Sequence, residues 1–247
     1  MEIYNLSTLF HFTKTKENLF GILKNEFKPT FCLEKIHYGR SVWKYAIPMV
    51  CFCDIRLSQI KNHIETYGVY GIGMSKEWAE RKGLNPVIYL NRNSHLSNNL
   101  SAIKLSLSEV LRTPDNERVG TYLGFLYVLR YLKNYKGKFL KDEVRNADVI
   151  YYNEREWRYV PTTPDIRSAD VLSENDYLNK DTREYFSSLL PALSFEPNDI
   201  KYIIVDRESE IEETINTIRK IKSKYPPPVV DILTSRIVTS EQIKNDF

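Results

Sequence analysis

Cysteine is nearly absent from this chain: there are three, Cys32, Cys51 and Cys53. An odd, small number cannot close a disulfide framework, so a cystine-stapled secreted fold is set aside and a reducing compartment is expected. Zinc ligation by these thiols with His37 and His63 matches no standard ribbon spacing, and no metal is expected. Glycine is also scarce, with 9 residues. There is no phosphate loop of the Gly-Lys-Ser/Thr kind, and Tyr70-Gly71-Ile72-Gly73 lacks the third glycine of a dinucleotide fold. These glycines are read instead as points of close backbone approach within a sheet. No Gly-x-Ser-x-Gly or His-Glu-x-x-His pattern occurs, which removes the standard serine hydrolases and zincins. No apolar run approaches membrane-spanning length, and Met1 to Asn5 offers no signal-peptide start. Excess charge of either sign is missing as well. The net charge is +3, so no global field announces a nucleic-acid partner. A soluble, cytoplasmic protein is expected.

Aromatic residues are plentiful, with 17 Tyr and 11 Phe, and 42% of the chain is hydrophobic. A chain of 247 residues can bury a substantial core, and the reading is one domain over 1–247. Strand patterns are expected at Thr8–Thr13, Thr30–Leu33, Ile47–Cys53, Val69–Met74, Pro86–Leu90 and Ile200–Val205. A polar loop is expected to follow Leu33 through Arg40. Helices are expected at Lys16–Asn25, capped by Thr13 or Thr15, and at Ile55–Tyr67, capped by Asp54. Ser75 should cap Lys76–Lys82, with Gly83 ending it. Further helices are expected near Asp181–Leu190 and at Glu208–Tyr225, where Pro226 to Pro228 should stop the chain before a last strand, Val229–Val238. Apolar spacing at Val119, Leu123, Leu126, Leu129 and Leu132 marks a helical insertion at about 93–136. The fold class is α+β.

The densest chemistry lies in Tyr151-Tyr152-Asn153-Glu154-Arg155-Glu156-Trp157-Arg158-Tyr159-Val160-Pro161. Residues two apart project to one side of an extended chain, so Glu154 and Glu156 would face one cleft at a strand entrance. Paired carboxylates there suit a site that holds a sugar hydroxyl and stabilises positive charge; a solvated turn before an edge strand is the plainer reading. His11, with Phe12 and Thr13, sets an imidazole beside an aromatic platform. From Arg130 to Arg145, Lys133, Lys136, Lys138 and Lys141 interleave with Tyr131, Tyr135 and Phe139. Such mixtures grip single-stranded nucleic acid, although a solvated helix end and basic loop would look the same.

His-Phe-Thr at the end of a first strand, followed by Asn-Leu-x-x-Ile-Leu, resembles the opening of bacterial ADP-ribosyltransferases of the DarT kind. More specifically, Ala46 to Ile55, Tyr67 to Trp78 and Asn85 to Tyr89 resemble the AbiGi-type abortive-infection family, a likeness spread from His11 to Val205. That family is conventionally labelled an antitoxin of phage-defence systems. The transferase resemblance implies a split mixed sheet of the ADP-ribosyltransferase kind, with NAD as substrate and no metal. It implies that Glu156 holds the ribose hydroxyl and stabilises the oxocarbenium-like transition state, that Glu154 orients the acceptor, and that His11 bonds the ribose with Phe12 and Thr13 close by. Tyr70 would stack on nicotinamide, and Asp54 and Arg56 would sit at a cofactor-binding strand end, although Arg56 only approximates the family's arginine motif.

Three functions follow as expectations. The first is a phage-defence toxin that transfers ADP-ribose from NAD to RNA or single-stranded DNA and is held in check by an antitoxin protein. The second is a non-catalytic antitoxin or immunity protein that binds a toxin. The third is a nucleotide sensor without chemistry.

Overall fold

The computed structural model describes residues 7–110, 116–138, 148–162 and 171–246. In chain order these form β1 (Thr8–Thr13), α1 (Lys16–Asn25), β2 (Thr30–Tyr38), β3 (Ser41–Cys53), α2 (Lys61–Tyr67), β4 (Tyr70–Ser75), α3 (Lys76–Arg81), β5 (Asn85–Pro86), β6 (Ile88–Leu90), α4 (His95–Val110) and α5 (Asn116–Leu129). There follow β7 (Leu132–Asn134), β8 (Lys136–Lys138), β9 (Asp148–Ile150), β10 (Glu156–Tyr159), α6 (Glu174–Leu178), α7 (Lys180–Ser188), β11 (Ile200–Val205), α8 (Ile211–Ile221), α9 (Pro227–Thr234), β12 (Ile237–Thr239) and α10 (Ser240–Asp246). The chain divides into two compact units, one of residues 1–29, 50–85 and 191–247, the other of 30–49 and 86–190.

The first unit is organised on a mixed sheet. β4 pairs antiparallel with β1, from Thr8 opposite Ser75 to Thr13 opposite Tyr70, and antiparallel with β11 on its other side. β11 runs parallel to β12. Alternation along β1 sends its side chains to two faces. Phe10 joins Cys53, Ile55, Ile60, Ile64, Ile204 and Ile243 in one core. His11, on the other face, lies among Phe27 and Phe52, which in turn meet Trp78 and Phe195. β4 is buried along nearly its whole length, and its glycines explain how. A Cβ on Gly73 would stand 2.9 Å from Phe10 Cε1 and 3.0 Å from both Thr8 Cγ2 and Tyr202 Cδ2. The expected close approach is therefore present.

Local signals set several helix ends. Thr15 Oγ1 accepts from Asn18 N–H to start α1, and Ser75 accepts from Trp78 N–H to start α3, while Gly83 follows α3 with φ +72°. Asp54 does not cap the next helix as expected. Its carboxylate accepts from Lys76 Nζ at 2.8 Å, and α2 starts only at Lys61 with no side-chain cap. The expected strand over Val229–Val238 is also corrected. Pro227 and Pro228 occupy the first positions of α9, where a missing N–H costs nothing, and the strand is confined to Ile237–Thr239.

The second unit opens with a long hairpin rather than a short strand and a loop. β2 continues to Tyr38 and pairs with β3 from Thr30 opposite Met49 to Tyr38 opposite Ser41. The reach of β2 has a tertiary cause. Asn134 acts as a strand partner in miniature, its Oδ1 accepting from His37 N–H at 2.8 Å and its Nδ2 donating to His37 O at 2.7 Å. The hairpin tip is tied to α4, with Gly39 N–H on Ser97 Oγ and Ser41 Oγ bonded to Ser101 Oγ. The expected helical insertion holds two helices, α4 and α5, which pack on each other, and ends in β7, parallel to β6. Among the described residues no helix is long and apolar enough to cross a membrane.

Candidate functional site

β10 carries Glu156, Trp157, Arg158 and Tyr159, and burial alternates along it, Glu156 and Arg158 inward and the two aromatics half-buried. Two opposite charges on the inward face of one strand must be paired, because an isolated buried charge is not tolerated. Arg158 is fully buried. Its Nε donates to Glu156 Oε1 at 2.5 Å, its Nη2 to Glu34 Oε1 at 2.8 Å, and its Nη1 to the Arg130 carbonyl at 2.9 Å. Lys133 Nζ donates to Glu156 Oε2 and to Glu154 Oε2, each at 2.6 Å, and stands over the Tyr151 ring. The Glu156 backbone is held too, its N–H on the Tyr89 hydroxyl at 2.7 Å and its carbonyl accepting from Val87 N–H. Three carboxylates and two cations thus close into one network within the second unit.

Glu154 and Glu156 do converge, but not by strand alternation. Tyr151–Glu154 is a 3-10 turn, and Arg155 takes the left-handed conformation at φ 43°. That reversal swings Glu154 back onto Lys133. The two-residue period holds one pair later, between Glu156 and Arg158. Opposite charge at i and i+2 inside a strand was the available signal for this network. Lys133 and Glu34 carried none, because they lie far off in sequence.

Burial by itself would raise the Glu156 carboxyl; the charges of Arg158 and Lys133, with their hydrogen bonds, outweigh it and hold the group well below the usual carboxylate range. For Lys133, burial alone would lower the ammonium, and the nearby Glu156, Glu154 and Glu34 raise it well above its ordinary value. A depressed folded-state carboxyl contributes stability above its unfolded value of 4.5, and that stability is lost as pH falls below this point. Below pH 4.5 the wild type should lose up to about 1.4 kcal/mol per pH unit from this one group, and Glu156→Gln should show a flatter dependence. Urea unfolding between pH 6 and 3.5 measures it; parallel curves for the two proteins would refute the coupling.

The remaining expected site residues lie in the first unit. His11 is half-buried, with Nδ1 bonded to Cys51 O at 2.8 Å, and burial outweighs that bond and lowers its pKa. Phe12 packs against the Phe10 core, and Thr13 stands opposite Tyr70. The Tyr70 hydroxyl donates to Glu210 Oε1 at 3.0 Å; burial and that bond push its pKa up to about 12. Arg56 is exposed just before a short 3-10 turn. His11, Phe12, Thr13 and Tyr70 are thus neighbours on β1 and β4, while Glu154 and Glu156 belong to the other unit.

The basic-aromatic segment is corrected in part. Lys133 is spent on the glutamates, and Arg130 is 3% exposed, so neither offers an open phosphate grip. Lys136 and Tyr135 are exposed. Phe139, Lys141 and Arg145, and the side chain of Lys138, lie outside the described residues. Among the described residues no group of three His, Cys, Asp or Glu could hold a metal ion.

Comparison with known proteins adds two matches. Residues 25–206 match the family model described as "Putative abortive phage resistance protein AbiGi, antitoxin". The chain is 30% identical over 250 residues to the abortive phage resistance protein AbiGi of Lactococcus lactis subsp. cremoris, a match covering 90% of this chain and 99% of that protein. No solved structure matches at a significant level.

Proposed function

The chain belongs to the AbiGi family of abortive phage resistance proteins, and on that premise we propose that it works as the antitoxin of a phage-resistance pair, binding a toxin protein without turning over NAD. The observation that carries this reading is the state of the Glu-x-Glu pair. A transferase needs a glutamate oxygen open to a ribose hydroxyl and able to meet a developing cation. Glu156 is 5% exposed, and both its oxygens are already engaged by Arg158 and Lys133. Its negative charge is neutralised before any substrate arrives, which suits a structural strut. The family description as an antitoxin supports the same side.

The competing reading is ADP-ribosyl transfer from NAD to RNA or single-stranded DNA on an ADP-ribosyltransferase-like sheet. One feature favours it: Glu154 and Glu156 meet at a single point, as paired carboxylates of a sugar-handling site would. The deciding experiment captures the partner of the tagged chain from phage-infected cells and expresses that partner with and without the chain. We expect the partner to arrest growth alone, and the arrest to be relieved equally by wild type and by Glu156→Gln. Label transferred from NAD by the purified wild type, and abolished in a folded Glu156→Gln, would replace this reading with the transferase.

A further inference from the structure

A second feature of the same unit is independent of the ion network's role. A cavity of about 200 Å³ opens between β3 and α5, lined among others by Trp43, Tyr45, Tyr122, Leu126, Tyr127 and Arg130. Its lining combines four aromatic rings with one charged residue, and that residue is a cation. Trp43 and Tyr45 stand two apart on β3, hence on one face, with ring centroids 5.1 Å apart and planes inclined at 41°. Trp43 is 1% exposed and forms part of the floor; Tyr45 and Tyr127, at 36% and 38%, form the rim.

Arg130 is set into this pocket from two directions. Its guanidinium lies 4.0 Å from the centre of the Tyr127 ring, and its backbone carbonyl is held by Arg158 Nη1. A planar, delocalised cation stacked on a ring presents its edge for bidentate contact with an oxyanion. Beside the cavity, Tyr38 is fully buried and its hydroxyl has no hydrogen-bond partner among the described residues. Tyr38 lies close enough to both Tyr45 and Tyr122 to interact with them electrostatically. Buried hydroxyls ordinarily find a partner, and the polar edge of a heterocycle would supply one.

We propose that this cavity binds one nucleotide unit, its base stacked on the Trp43, Tyr45 and Tyr122 rings and its phosphate on Arg130. The volume suits a single flat heterocycle and excludes a stacked dinucleotide. Rings accept any base through its π-face, so the site is expected to select for the phosphate more than for the base. The unit can come from a free mononucleotide or from a single-stranded chain, since both present the same base and phosphate.

Calorimetric titration of the full chain distinguishes the sources, using the four ribonucleoside 5′-monophosphates, adenosine, and a single-stranded tetranucleotide. Binding by the monophosphates assigns the free nucleotide; binding by the tetranucleotide alone assigns a base within a strand. In either case Tyr45→Ala and Tyr127→Ala, both at the rim where the fold tolerates change, should each weaken binding about tenfold. Adenosine should bind about tenfold more weakly than adenosine monophosphate, as expected for a lost contact to a charged group. No heat from any probe at millimolar concentration would overturn the proposal. So would equal affinity for adenosine and its monophosphate, or unchanged affinity in both rim variants with unaltered melting.

Discussion

Arg158→Met is expected to destabilise the protein by about 3–5 kcal/mol, enough to leave much of it unfolded at growth temperature. The guanidinium is fully buried and serves Glu156, Glu34 and the Arg130 carbonyl together. Methionine fills much of the same volume but removes every donor. Glu156 is then left with Lys133 alone, Glu34 loses its partner across the unit, and a carbonyl loses a hydrogen bond. The large cost comes from stranding the survivors, since a well-paired buried network is itself close to neutral against apolar packing. Replacing Glu156 as well, in Arg158→Met/Glu156→Leu, should therefore recover part of the loss. Urea unfolding followed by circular dichroism reads both. A single variant within about 0.5 kcal/mol of wild type, the range of ordinary surface changes, would show that the network contributes little to holding β10 in place.

Gly68→Ala should be at least as severe, for a steric reason. Gly68 has φ +125°, a conformation that side-chain-bearing residues avoid. A Cβ there would lie 2.1 Å from Thr13 O, 2.5 Å from Thr13 C and 2.6 Å from Lys14 Cα. All three are backbone atoms of the chain leaving β1, and no side-chain rotation relieves the clash. A loss above about 4 kcal/mol, or failure to accumulate folded protein, is expected. Gly21→Ala is the control: it lies within α1, a Cβ there meets nothing within 4 Å, and alanine is the better helix former. That variant should be stabilised by about 0.5–1 kcal/mol. Similar thermal melts for the two variants would refute the steric account.

Local structure was legible in the sequence wherever a short-range physical rule sufficed. The hydroxyls of Thr15 and Ser75 cap α1 and α3 because the orphan N–H groups they serve lie three residues on. The strand over Ile200–Val205 appears as read, since an apolar run of that length between polar flanks has few alternatives. Gly71 and Gly73 mark a crowded strand because nothing larger fits. The resemblance to the AbiGi family rested on such stretches, and the family match covers residues 25–206. Three prolines in a row were less decisive, because proline both ends helices and begins them.

The candidate site divides along the same line. That Glu154 and Glu156 belong together, and that residues two apart share a strand face, followed from the sequence alone. Which carboxylate would be inward, and what it would meet there, did not. The left-handed turn at Arg155 redirects Glu154, and the partners come from afar: Lys133 lies 23 residues before Glu156, and Glu34 lies 124 before Arg158. Local propensities act over a few residues, whereas a buried charge takes whichever counter-charge the chain path brings within about 3 Å. The sequence by itself therefore determined the α+β class, most helix ends and the family. The tertiary structure alone decided that the acidic motif is a neutralised strut, because burial and pairing are properties of the folded path and not of the residues in a row.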